Sequence, residues 1–159
     1  MISTAALVVG IIGLIRPTTS AAPAAGTSSP PARSAPVDMA AANRALCSAI
    51  APLMGESDRM GKAFTSLGPP DSATSAAGVP KFVSDTKDWV GRIQPIIDSH
   101  PDVDPYFQRT LQRFVDDEKS LAIDLAAGPW QPYDQTIWND ALGAENGPMS
   151  TCWALGVKW

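Results

Sequence analysis

The chain has 159 residues, 45% of them apolar and only 18% charged, with a formal net charge of −4. That length suits one domain better than two. The apolar share suits a packed core, and the acidic balance excludes a basic surface for nucleic acid.

Residues 1–16 form an apolar N-terminal segment. Ala5 to Ile15 reads AALVVGIIGLI, eleven residues with no charge, ended by Arg16-Pro17. A spanning helix needs about twenty apolar residues, whereas a signal-peptide core needs only about 7–15. The segment is therefore expected to be a signal peptide, or a membrane anchor if it is not cleaved, in which case the membrane itself is a partner. Residues 17–37, PTTSAAPAAGTSSPPARSAPV, hold almost nothing but Ala, Pro, Ser, Thr and Gly. Such a stretch cannot bury enough surface to offset its ordering entropy, so a disordered linker is expected. Small residues around Thr19 to Ala25 suit signal peptidase, and both cleavage and retention stay open. The expected location is extracytoplasmic.

Residues 38–159 carry all 16 acidic residues and 10 of the 12 basic ones, a net charge of −6. Strand-type alternation is almost absent, and helical spacing recurs four times. In the first segment Asp38 is the expected N-cap. Leu46, Ile50, Leu53, Met60, Phe64 and Leu67 follow at steps of 4, 3, 7, 4 and 3, interrupted by Ser57. Pro52 should kink or split this helix. Gly68-Pro69-Pro70 ends it, and a loop of small residues is expected to run to Pro80.

The second segment is expected to begin near Lys81, with Phe82, Trp89, Ile93 and Ile96 or Ile97 on one side and a kink at Pro95. The third opens with Asp104-Pro105, a cap followed by Pro at the first helical position. Phe107, Leu111, Phe114, Leu121 and Leu125 line its apolar face, and Gly128-Pro129 stops it. The fourth holds Tyr133, Ile137, Trp138 and Leu142. It should pause at Gly147-Pro148 and resume through Cys152 and Leu155. The expected fold is all-α, an antiparallel bundle of about four helices with one disulfide.

That disulfide joins the only two cysteines, Cys47 and Cys152. Behind an export signal an even cysteine count reads as a bridge. Nothing here resembles a Cys-x-x-Cys redox or metal motif. The single histidine, His100, stands among Asp98, Asp102 and Asp104, but Val103 and Arg109 occupy the positions where a calcium loop needs Gly and Glu. A helix connection is expected there, with no metal. Asp116, Asp117 and Glu118 read as a solvated acidic face, because consecutive helical residues point in different directions. Arg92, Arg109, Arg113 and Glu118 supply the charge types that a small helical mutase gathers inside a bundle. They flank the apolar stripes and are expected to face water.

The sequence contains no phosphate loop, dinucleotide fingerprint or metalloprotease helix, and no second histidine for a triad. Neither an enzyme nor a cofactor is expected, although carboxylates can meet across helices in ways that spacing does not reveal. The layout, with Leu46-Cys47-Ser-Ala-Ile50-Ala-Pro52 and the closing Cys152-Trp153-Ala-Leu155-Gly156, resembles small actinobacterial-type exported or membrane-anchored helical proteins of unknown function. The resemblance implies no catalytic residue. The expected function is an envelope protein-interaction module with an envelope protein as its partner. The rival is a carrier of a small apolar ligand, lipid or haem-like, for which Tyr106, Tyr133, His100 or methionines would be contacts.

Overall fold

The structure, a computed structural model, describes residues 38–159. The expected apolar segment 1–16 and linker 17–37 lie outside the described residues. Four helices follow one another: α1 (Met39–Thr65), α2 (Ala73–Asp98), α3 (Pro105–Ala127) and α4 (Pro132–Ala154). Short connections make each helix run antiparallel to the one before it. Among the described residues there is no strand, and no helix is long and apolar enough to cross a membrane.

Each helix starts where a side chain can satisfy the free N–H groups of its first turn. Asp38 accepts from the Ala41 N–H, and Asp104 accepts from those of Tyr106 and Phe107. At α4 the Asp134 carboxylate accepts from the Gln131 backbone N–H at 2.6 Å. Glycines mark two of the exits, Gly68 and Gly156, both with positive φ.

The prolines are weaker breakers than their positions suggest. Helix α1 runs unsplit through Pro52, and Ile50, Leu53 and Met54 are buried on both sides of it. An interior proline costs about 3 kcal/mol, which burying two or three such side chains outweighs. Helix α2 does not wait for Lys81; it begins at Ala73 and contains Pro80. Ser72 caps it by accepting from the Ser75 N–H, and the buried Ser75 hydroxyl reaches back to the Gly68 carbonyl. Helix α4 likewise continues through Gly147 and Pro148, both buried.

The stripes of α1, α2 and α3 face inward as expected, but α4 has no such stripe. Tyr133 and Leu142 are exposed, and Ile137 and Trp138 are half-buried. The residues it buries are instead Asp134, Ala141, Ala144, Glu145, Gly147, Pro148 and Cys152. Most of these are too small for hydropathy to mark a face. Their smallness lets α3 approach closely, and a Cβ placed on Gly147 would overlap the Thr110 side chain.

The core has two parts. One gathers Leu46, Ile50, Met54, Trp89, Phe107, Leu111 and Val115 with the cysteines. There the Trp89 indole donates to the Leu53 carbonyl at 2.7 Å and meets Phe114 edge-on. The other is aromatic: Phe64 stacks on Phe82 at 4.4 Å, with Trp130 and Trp138 tilted against them. Between the two parts, α1, α2 and α3 each bury a polar residue: Ser57, Thr86 and Glu118. Each sits in the seven-residue gap of its stripe, at helical register with the apolar residues on either side.

The seam between α3 and α4 gives a paired test. Gly147→Ala should lower stability by about 1–3 kcal/mol through overpacking against Thr110. Gly143→Ala, in the same helix but with open space around it, should raise stability by up to about 1 kcal/mol. Chemical denaturation of both variants checks this; equal effects would show that the seam is not tight.

Candidate functional site

The two cysteines meet as expected. Cys47 and Cys152 form a disulfide with Cα atoms 5.4 Å apart, closing a separation of 105 residues. Chain-entropy reasoning assigns about 4–5 kcal/mol to a loop of that size. The bond joins α1 to α4, the neighbouring pair that otherwise touches least. Beside it Arg44 donates to the Leu155 carbonyl at 2.9 Å.

Most other candidates stay apart. His100 lies in the α2–α3 connection, its Nδ1 2.8 Å from the Ile96 carbonyl. Asp104 serves as the α3 cap, while Asp98 pairs with Gln94. Among the described residues no group of three or more His, Cys, Asp or Glu is placed to hold a metal ion. Tyr106 and Tyr133, near the starts of the antiparallel α3 and α4, stand at opposite ends of the bundle and are exposed. Arg92 forks onto Glu56 and also meets Asp88, and Arg113 reaches Asp117 and Asp140. These are rim pairs of small energetic value.

Glu118 departs from the expectation of a solvated acidic run. Asp116 is exposed and Asp117 half-buried, but Glu118 is only 6% exposed. Its register explains this: it lies four residues after Phe114 and three before Leu121, on the apolar face. Glu145 of α4, which the sequence reading did not single out, is 7% exposed. Both line a cleft of about 250 Å³ between α1, α3 and α4. Asp58 and Ser57 enter it from α1, and Phe114, Trp138 and Leu142 supply its apolar walls. Lys62, also on the rim, stands 3.9 Å from Asp58.

The electrostatics of this cleft are unusual for carboxyl groups. Burial pushes the Glu118 pKa up to about 7, with the charges of Glu145 and Asp117 adding to the effect. Burial, joined by the charge of Asp58 and a hydrogen bond to it and opposed by Lys62, also pushes Glu145 up to about 7. No cation and no hydrogen-bond donor among the described residues acts on Glu118. The spacing signal for Glu118 was present in the sequence, as a polar residue at stripe register. Nothing in the sequence paired it with Glu145, which sits on a helix without a legible stripe.

No family model matches this chain, and no curated protein or solved structure matches it either. The geometry of the chain itself is therefore the basis for a functional reading.

The raised carboxyl groups set a direction for stability against pH. A group that binds its proton more tightly in the folded state stabilises the fold fully below its unfolded pKa. That contribution is lost as pH rises through the folded value. For Glu118 the window runs from the usual 4.5 to about 7. The melting temperature should therefore fall between about pH 5 and pH 8. Glu118→Gln should flatten this profile and raise stability at about pH 8 by roughly 2–3 kcal/mol. Thermal melts of both proteins across pH check it, and a wild-type profile that rises over this range would contradict it.

Proposed function

We propose that the chain is an extracytoplasmic protein-interaction module with no catalysis of its own, held at or released from the envelope membrane by residues 1–16. Two features support the location. The apolar run Ala5 to Ile15 has the length of an export signal, and the Cys47–Cys152 bond suits an oxidising compartment. The layout resemblance to small exported helical proteins fits the same reading.

The observation that carries the interaction role is an aromatic surface at the end of α4. Trp153 is 44% exposed and meets Trp159 edge-on at 6.3 Å, with the Lys158 ammonium 6.0 Å from the Trp153 ring. The turn that places these residues is held by the Val157 N–H donating to the Cys152 carbonyl. Trp159 is thereby laid against α1 at Gly55. The tryptophan pair is thus anchored one residue from the disulfide and presented on a rigid base. Exposed tryptophan on a rigid base offers a large contact area at little entropic cost, which is why tryptophan is enriched among the residues that dominate binding energy.

Site-specific photo-crosslinking in intact cells tests this. A crosslinker in place of Trp153 should give a discrete protein adduct, whereas one in place of Lys81, on a different helix, should not. Equal adduct patterns from both positions would contradict the reading.

A further inference from the structure

We propose that the cleft between α1, α3 and α4 binds a primary alkylammonium group, seated against the Glu118 carboxylate and covered by Phe114 and Trp138. Carboxyl groups gathered at a surface would not by themselves define a site. Glu118 is different: it is more than nine-tenths buried, it lines the cleft, and no donor or cation reaches it from the described residues. An ionised carboxylate in that position lacks the partner that buried charges normally have. A compact ammonium supplies three donors and a positive charge together. Asp58 and the Ser57 hydroxyl line the same wall.

The apolar wall suits the rest of such a ligand. Aromatic faces attract ammonium ions, and the stem of an alkylamine gains from contact with Phe114, Trp138 and Leu142. The cleft, at about 250 Å³, has room for a short alkyl stem and its ammonium head. A multidentate metal site is not what these residues form, since no metal-holding group is present among the described residues. The internal cation is a competitor at the rim. Lys62 has a side chain 81% exposed and acts on Glu145 and Asp58, leaving Glu118 to an incoming group.

Binding displaces a proton. The charged groups facing the site are Asp58 and Lys62 on α1, Asp117 beside Glu118 on α3, and Glu145 on α4. Near neutral pH the fraction of Glu118 still protonated gives up its proton to solvent as the ammonium enters, so binding weakens on acidification. An ammonium of this kind has two sources, a free small amine or a lysine side chain of a partner protein. The proposal does not rest on the Trp153 surface, and failure here leaves that reading in place.

The test is calorimetric titration of the full chain in a mild nonionic detergent with n-butylammonium, Nα-acetyl-lysine methylamide and, as the uncharged control, n-butanol. Repeating each titration in two buffers of different ionisation enthalpy reads the protons released. Saturable binding of an amine with proton release is expected, weaker by about tenfold or more in Glu118→Gln. Lys62→Met, which removes the competitor, should tighten it severalfold. Binding of both amines points to a free amine as the source, and binding of the lysine derivative alone to a partner's side chain. Absence of saturable binding by either amine, equal binding of n-butanol, or binding without proton release overturns the proposal. Should Glu118→Gln fail to fold, Lys62→Met decides, and an unchanged affinity overturns it.

Discussion

The narrow seam between α3 and α4 sets most of what is distinctive about this bundle. The distance between packed helices follows the size of the side chains between them. Helix α4 brings Ala141, Ala144 and Gly147 to that contact, and Thr110 of α3 occupies the space where Gly147 has no Cβ. Close approach covers positions that a wider bundle would leave wet. Glu118 and Glu145 are both on helices drawn together in this way, and both lose nearly all contact with water. The acidic cleft is thus a packing consequence of small residues, and its chemistry follows from the desolvation of two carboxyl groups.

That arrangement strains the bundle's energetics, and the disulfide offsets part of the strain. A polar level made by Ser57, Thr86 and Glu118 interrupts the core, leaving an aliphatic and tryptophan part on one side and an aromatic part on the other. The Thr86 hydroxyl is buried without a partner among the described residues, a further cost of about 1–3 kcal/mol. The Cys47–Cys152 bond acts where α1 and α4 share least contact, so it closes the ring of helices at its weakest edge. The same bond steadies the turn that presents Trp153 and Trp159. One covalent link therefore supports both the surface read as a docking site and a core that tolerates buried charge.

How much of this was legible in the sequence depended on side-chain size. Large apolar residues at helical steps located α1, α2 and α3 and their inward faces, and caps such as Asp38 and Asp104 marked true starts. The cysteine count, read with the apolar run Ala5 to Ile15, paired Cys47 with Cys152. Prolines misled in part: Pro80 lies inside α2 rather than ahead of it, and neither Pro52 nor Pro148 interrupts its helix, where tertiary packing outweighs the local cost. Helix α4 misled further: its core side is made of Ala and Gly, so Tyr133 and Leu142 drew the apolar face to the wrong place. Glu118 was hidden by its neighbours, since Asp116 is exposed, Asp117 is only half-buried, and a run of three acids reads as one solvated surface. Its register with Phe114 and Leu121 was the contrary signal, as Ser57 likewise stands at stripe register between Leu53 and Met60 in α1. The partnership with Glu145 is a matter of tertiary approach, and no spacing rule encodes it.

The most direct measurement follows the side-chain carboxyl carbons of Glu118 and Glu145 by NMR as pH is varied. Both carboxyl groups should titrate at about 7, well apart from the exposed acids on the bundle's rim. Titration of Glu118 at the usual 4.5 would mean that the carboxyl is solvated, and would contradict a tight seam between α3 and α4.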